Sequence, residues 1–384
     1  MRIAFILDGE FPPDPRVEKE VETLTKAGHD VTVFCKTKQA RPPREHWKGA
    51  TVVRRRLPVF SARRNLDKLV DYAVFPAVVL GEFLDAHFAR RFDRVVVANP
   101  PDSLLVLINL FCALTATKAV DDFHDPFVEL VANHYRSPLF KAVAWLLEAL
   151  ALATAWRVIT VSPHCTRVLR SRFPCQIAVV SNCASASFKP SAKWRALRRK
   201  YGKFVLFSGN FIKQNGVMDF LRALDESKTF FRLKGLRAVV AGSGVLEAEI
   251  RRFIAEKQLA DFVFFAGWRE RGEIADWIAA SEAVVAPFID SPITRIGTPN
   301  KLYEALKLEK LVIASDLPGI RSVAGDAVVY YRAGDVDGLA RAMQRVLSNS
   351  TAIYRQKKKL LERLSRELVW EKQERIFVET VCGD

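Results

Sequence analysis

Apolar runs of strand length alternate with stretches of helical periodicity along the whole chain, and the alternation starts over near its middle. In the first half, residues 2–7, 30–35, 93–98, 118–122, 157–162 and 177–181 read as strands. Between the first two lies a helix over 17–28, where Val17, Val21 and Leu24 share a face and Gly28 closes the end. Further helices are predicted over 66–92, 103–117, 139–156 and 163–172. In the second half the strands are 203–208, 237–241, 261–266, 283–287, 311–314 and 328–331. Helices are predicted over 217–224, up to about 257, over 273–280, 337–347 and 354–368, and after Trp370, with 288–293 as a loop. Two such runs predict an α/β chain with two Rossmann-like doubly wound parallel sheets facing a cleft. The expected division is 1–187 and 188–368, joined by a basic linker, with a separate C-terminal helix at about 369–384.

Composition fits that size. Of 384 residues, 49% are hydrophobic, enough for two cores. The net charge of +16 argues for an anionic partner. From Lys36 to Lys68 there are 11 Lys and Arg against Glu45 and Asp67, and the run leads into an apolar helix with Phe75, Phe83 and Phe88. A basic run joined to an aromatic helix suits an anionic membrane surface, so the stretch from Lys36 to Phe92 is a candidate for peripheral attachment; a solvated loop before a core helix is the plainer alternative. A second basic run, 189–203, has 7 cations and no acidic residue.

The 6 cysteines form no CxxC pair and suit reduced, buried thiols in a cytoplasmic protein. The opening MRIAFILDGE is not expected to act as a secretory signal, and no apolar run reaches the roughly 18–20 residues of a membrane span. No metal-ligand spacing stands out, and no motif of a nucleic-acid binder is present, so neither a metal nor a nucleic acid is expected.

The candidate chemistry gathers where loops follow strands. In 295–316, RIGTPNKLYEALKLEKLVIASD, Thr298 is placed to cap a helix that has Pro299 in its first turn. The free amides of such a helix start suit a phosphate. Glu304, about a turn and a half further on, is able to accept bonds from a vicinal diol. His124 and Asp125 follow a strand, where ligands of open α/β sheets bind. Gly242-Ser243-Gly244 makes a tight turn after a strand, a weak signal alone.

Several of these segments together resemble the family 4 glycosyltransferases, retaining enzymes of the GT-B fold that use nucleotide sugars. The opening Phe11-Pro12-Pro13-Asp14-Pro15-Arg16-Val17 with Gly28-His29-Asp30-Val31 is similar to the family's start. His124 and Asp125 match its strand-end histidine motif, and Ser315, Asp316, Pro318 and Gly319 match the ending of its C-terminal half-site. Glu304 matches the second of the family's two glutamates, while Ile296 stands in place of the first; members with a T-P-N-K helix start also occur. Asn210 and Asn215 replace the family's diphosphate-gripping Arg and Lys, with Lys213 two residues from the motif.

The resemblance implies transfer of a glycosyl unit from a nucleotide sugar, UDP-linked by preference, to a glycan or lipid-linked acceptor hydroxyl, with retention and without a required cofactor or metal. It places His124 and Asp125 beside the sugar and Glu304 on the ribose. The diphosphate falls to Gly209, Asn210, Lys213, Arg295 and the helix start Thr298-Pro299-Asn300-Lys301. The base falls to the turn Gly267-Trp268-Arg269, and Gly242-Ser243-Gly244, which matches a glycine turn of the family, is counted with the nucleotide-binding residues. Gly9, Arg16 and Asn99 line the acceptor side. The last helix is implied to cross back onto the first domain. The substitutions at 210, 215 and 296 leave two alternatives, a protein that binds nucleotide sugars without turnover and a nucleotide-sugar epimerase on the same fold.

Overall fold

The computed structural model describes residues 1–37, 40–56, 65–135 and 137–383, with backbone alone over 65–73. Two compact units emerge, Met1–Ser181 with Gln373–Asp384, and Asn182–Lys372.

In the first unit the strands are β1 (Arg2–Leu7), β2 (Asp30–Thr37), β3 (Arg44–Trp47), β4 (Ala50–Arg56), β5 (Arg94–Ala98), β6 (Lys118–Phe123), β7 (Arg157–Thr160) and β8 (Ile177–Val179). They pair in the order β3-β4-β2-β1-β5-β6-β7-β8. Every ladder is parallel except the edge hairpin β3–β4. Helices cover both faces of a parallel sheet, so its strands are apolar throughout rather than alternating; Ile3 to Ile6 and Val95 to Val97 are fully buried. The order reverses between β1 and β5, the switch point at which open α/β sheets bind ligands.

In the second unit β9 (Phe204–Ser208), β10 (Arg237–Ala241), β11 (Val263–Gly267), β12 (Ala283–Ala286), β13 (Leu311–Ser315) and β14 (Val329–Tyr331) pair in the order β11-β10-β9-β12-β13-β14, all parallel. Here the switch lies between β9 and β12.

Three expectations change. The basic run 189–203 is not a bare linker but contains the helix Lys193–Tyr201 of the second unit. Its Tyr201 ring packs 4.6 Å from Phe264 and 5.2 Å from Trp277. The loop 288–293 runs into a single-turn helix, Pro292–Ile296, capped reciprocally by Ser291 and Thr294. The two helices expected over 337–347 and 354–368 run together as Val336–Glu367, kinked at Asn349.

The chain ends on the first unit. In the last helix, Trp370–Cys382, the carbonyls of Glu379 and Thr380 accept bonds from Arg157 Nη1 at 3.1 Å each. Among the described residues the cysteines are free thiols.

In the basic and aromatic stretch from Lys36 to Phe92, Arg44, Lys48, Arg55 and Arg56 are exposed while Arg54 is buried. Arg54 is 2% exposed, and its guanidinium donates to Phe11 O at 2.7 and 2.9 Å. Phe75, Phe83 and Phe92 lie in the core, and Phe88 is exposed. Residues 38–39 and 57–64 of this stretch lie outside the described residues.

Candidate active site

In the second unit, three loops at the C-terminal edge of the sheet are tied side by side. Gly209 N donates to Ala241 O at 3.0 Å, Gly242 N to Gly267 O at 2.8 Å, and Phe211 N to Ser243 O at 2.8 Å. A Cβ on Gly242 would stand 1.9 Å from Gly209 O, so only glycine lets these turns approach. The bond from Gly209 corrects one expectation: its amide serves the fold and is not free for a phosphate. Asn210 is exposed, and its carbonyl accepts from Asn215 Nδ2 at 2.8 Å. Lys213 opens the one-turn helix Lys213–Asn215 and is exposed. Gly244 is exposed beside Ser243 in the glycine turn. Trp268 is 65% exposed, which removes the core reading and leaves its face open to a ligand. Arg269 is held by its own turn, Nη2 donating to Ala266 O at 2.7 Å.

The helix in the segment 295–316 runs over Asn300–Lys307. Its cap is Pro299 rather than Thr298, and no side chain caps it. Pro299 itself is extended, with φ −73° and ψ 142°, so the helix starts one residue later than expected. Thr298 Oγ1 is buried with no hydrogen-bond partner among the described residues. Asn300 stands exposed at the helix start.

Lys301 is the central observation. It is 6% exposed, and its Nζ has no hydrogen-bond partner among the described residues. The ammonium sits 4.0 Å from the Phe207 ring centroid and 5.1 Å from that of Phe288. It also lies 3.3 Å from the position a Cβ on Gly209 would take. Burial lowers its pKa to about 7, with Glu304 opposing. Cation–π contact offsets part of the desolvation, but a buried ammonium ordinarily has an anion. It stands between a glycine loop and a helix N-terminus, the usual surroundings of a bound phosphate.

Glu304 is three-quarters or more covered, with Arg271 Nε 3.8 Å from its Oε1. Sequence reasoning did not find Arg271, which opens a helix with no motif of its own. Arg295 pairs with Asp290 on both edges, with Nη2 donating at 2.8 Å, and both side chains are exposed. Ile296 is buried at 4% exposure, and its carbonyl would collide with any Cβ on Gly319.

In the first unit, Gly9, Asn99 and His124 follow β1, β5 and β6, three adjacent strands. Asn99 ties two of these loops. Its Oδ1 accepts from His124 N at 2.8 Å and Asp125 N at 3.3 Å, and its Nδ2 donates to Asp125 O at 2.6 Å. Gly9 O accepts from Lys36 N at 3.2 Å. Arg16, at the start of the helix Pro15–Lys26, pairs with Asp14 at 3.2 Å. Its ion pair is therefore within its own turn, as an ordinary helix-start arginine would make.

His124 Nε2 lies 2.6 Å from Asp122 Oδ2. Glu20 reaches the same place from the helix Pro15–Lys26, so that Glu20, Asp122 and His124 bring one ligand atom each within 4.8 Å. All three are buried. Burial, then Asp122 and Asp14, push the Glu20 carboxyl well above its usual range. A protonated Glu20 relieves the repulsion between two buried carboxylates. Spacing in sequence gave no hint of this cluster, because Glu20 and Asp122 meet only through the β1-β5-β6 order. A contact of 2.6 Å between Asp122 and His124 is hydrogen-bond length and shorter than two ligands of one ion normally approach.

Comparison with known proteins follows the same division. Residues 16–188 match the Glycosyltransferase Family 4 profile, and residues 202–349 match Glycosyl transferases group 1. No curated protein matches the sequence. Sucrose-phosphate synthase from Thermosynechococcus elongatus is similar in structure, with TM-score 0.78, 19% identity, and 97% of this chain and 96% of that one covered. The Anabaena protein HepE in complex with UDP superposes at TM-score 0.73 and 16% identity over 99% of each chain. An α,α-trehalose-phosphate synthase (UDP-forming) from Burkholderia vietnamiensis does so at TM-score 0.76 and 12% identity, over 98% of this chain and 99% of its own. At these identities the structures establish the fold, GT-B, while the two profile matches establish the family: this chain is a family 4 glycosyltransferase.

Proposed function

We propose that the enzyme moves a hexosyl unit from a UDP-sugar to an acceptor hydroxyl with retention, the acceptor being a lipid-linked or other cell-envelope glycan. The observation that carries the donor half is Lys301, a buried ammonium with no hydrogen-bond partner among the described residues, beside a glycine loop and a helix start. In this reading the diphosphate supplies the missing charge. Lys301 and the first amides of Asn300–Lys307 stabilise it as the sugar leaves. That places the cation in the protein, so the reaction is proposed to run without a metal. Glu304 accepts bonds from the ribose diol, Trp268 flanks the base, and His124 lies beside the sugar, held through its backbone by Asn99. HepE has been solved with UDP, which supports the choice of nucleotide.

Thermal-shift titration with UDP, GDP and ADP tests the donor half. UDP is expected to raise the melting temperature, by about 2.7 kcal/mol of stabilisation at a hundredfold excess over its dissociation constant. EDTA is expected to leave that shift unchanged. Silence with all three nucleotides would overturn the reading. His124→Ala tests the sugar side: turnover is expected to fall about a hundredfold or more while UDP affinity stays within about threefold. Equal losses in both would remove His124 from the sugar. The second reading, binding without turnover, draws on the neutral Asn210 and Asn215 and the occupied Arg295. A UDP shift with neither transfer nor donor hydrolysis would favour it.

A further inference from the structure

We propose that the helices Asp102–Leu114 and Pro138–Thr154 form one apolar face that docks on a lipid bilayer. They pack side by side, with Asn109 Nδ2 donating to Ala151 O at 3.3 Å. On the first helix Leu107, Leu110 and Leu114 form a stripe, 42%, 49% and 88% exposed. On the second, Leu139, Val143, Leu146 and Leu150 recur at helical spacing with Trp145 beside them, all 41% exposed or more. Phe88 extends the face, 74% exposed, its ring 6.0 Å from that of Phe111.

Such stripes would normally face a core. Here the core side is filled by other residues, Ala144, Ala151 and Leu152 on the second helix and Leu104, Leu105 and Ile108 on the first. Each helix is therefore apolar on both sides, the mark of a helix with two apolar neighbours.

The chemistry of the face selects a bilayer over a protein. Every fully solvent-exposed residue of the two helices is apolar except Lys141. Their acids, Asp102 and Glu148, are 0% exposed. Protein interfaces carry roughly one hydrogen bond per 100–200 Å² and a polar rim. This face offers the Lys141 ammonium and the Trp145 indole N–H, with Asp85 one turn from Phe88 at its edge, and is otherwise without polar side chains to pair. Hydrocarbon asks for no hydrogen bonds. The cations stand at the margin, Lys141 on one helix and Arg91 beyond the end of the other, where its Nη2 donates to Thr115 O at 2.6 Å and Ala116 O at 2.7 Å. A tryptophan within the apolar stripe and cations at its edge suit anionic headgroups. No described helix is long and apolar enough to cross a membrane, so the docking is in the plane of the surface. Of the Lys36 to Phe92 stretch the face takes in Phe88 alone, since Phe75 and Phe83 are internal.

The inference does not depend on the transferase reading, and its test uses no sugar. Wild-type protein is mixed with phosphatidylcholine vesicles, with and without about 30% phosphatidylglycerol, and sedimented. It is expected to bind both, more tightly when the anionic lipid is present. Trp145→Glu with Leu146→Glu is expected to weaken binding about tenfold or more, with the UDP thermal shift unchanged. Leu110→Glu, on the other helix, is expected to weaken it too. Wild-type protein that stays in the supernatant with both vesicles overturns the proposal, as does full binding by the variants. A dimer in solution that Leu146→Glu splits, with no vesicle binding, would assign the face to a second copy instead.

Discussion

Lys301→Met is expected to make the ligand-free protein more stable and the donor complex far weaker. The two effects have one cause. Lys301 holds a charge 6% exposed with no hydrogen-bond partner among the described residues, and its folded pKa stands at about 7 against an ordinary 10.5. A methionine of similar length fills the Phe207 and Phe288 pocket without desolvating a charge. Replacing uncompensated buried charge by an apolar group stabilises by about 1–4 kcal/mol. The same substitution removes the cation facing the diphosphate, a loss of about 2–4 kcal/mol, or roughly 30- to 1000-fold in UDP affinity.

The sign with pH is fixed as well. Because the folded value is the lower one, the unfolded chain binds the extra proton between pH 7 and 10.5, and stability attributable to this group rises with pH across that window. Below about 7 the penalty is complete. The stability gap between Lys301→Met and wild type should therefore narrow by about 2 kcal/mol from pH 7 to 9. Chemical denaturation of both proteins at several pH values, with calorimetric UDP titrations, reads all of this. A variant that is destabilised and still binds UDP normally would make Lys301 an ordinary core residue.

Gly216→Ala is expected to cost more stability than any exposed substitution. Gly216 sits at φ 66°, at the cap of the helix Val217–Glu226, and a Cβ there would stand 1.5 Å from Pro287 O. Pro287 directly follows β12, so the obstacle is backbone beside the switch point and cannot swing away. Left-handed strain alone costs about 1 kcal/mol, and the clash brings the total to about 3 kcal/mol or more. In a domain of this size that is a fall in melting temperature of about 6–12 °C. Gly235→Ala provides the control, at φ 58° with nothing within 4 Å of its Cβ. It carries the strain without the clash, and about 1 kcal/mol is expected. Equal shifts by circular dichroism would mean that the contact with Pro287 carries no weight.

Much of the fold was legible because parallel strands are buried on both faces and so print continuous apolar runs. Residues 2–7 and 237–241 appear as strands with the bounds expected of them, and 163–172 as a helix. The helix Lys193–Tyr201 was hidden because its apolar positions, Trp194, Leu197 and Tyr201, are embedded in cations that outweigh them in any local reading. The turn Pro292–Ile296 is too short for periodicity to register, and the exchange of bonds between Ser291 and Thr294 decides it.

What the sequence by itself determined is everything that depends on neighbours along the chain. That includes two βα runs, the strand-end position of His124, a helix in the segment 295–316 to within one residue of its start, and the motifs that carry the family. What only the tertiary structure decided depends on which loops become neighbours. Strand order brought Asn99 under His124 and Glu20 beside Asp122, partners 25 and 102 positions apart by their numbers. Packing placed Lys301 between two phenylalanines with no hydrogen-bond partner among the described residues, while pairing Arg295 with Asp290. Both lysine and arginine read as cations in the sequence. Which one is paired within the fold and which is left without a hydrogen bond is settled by burial and by the nearest carboxylate, and neither is a property of the local sequence.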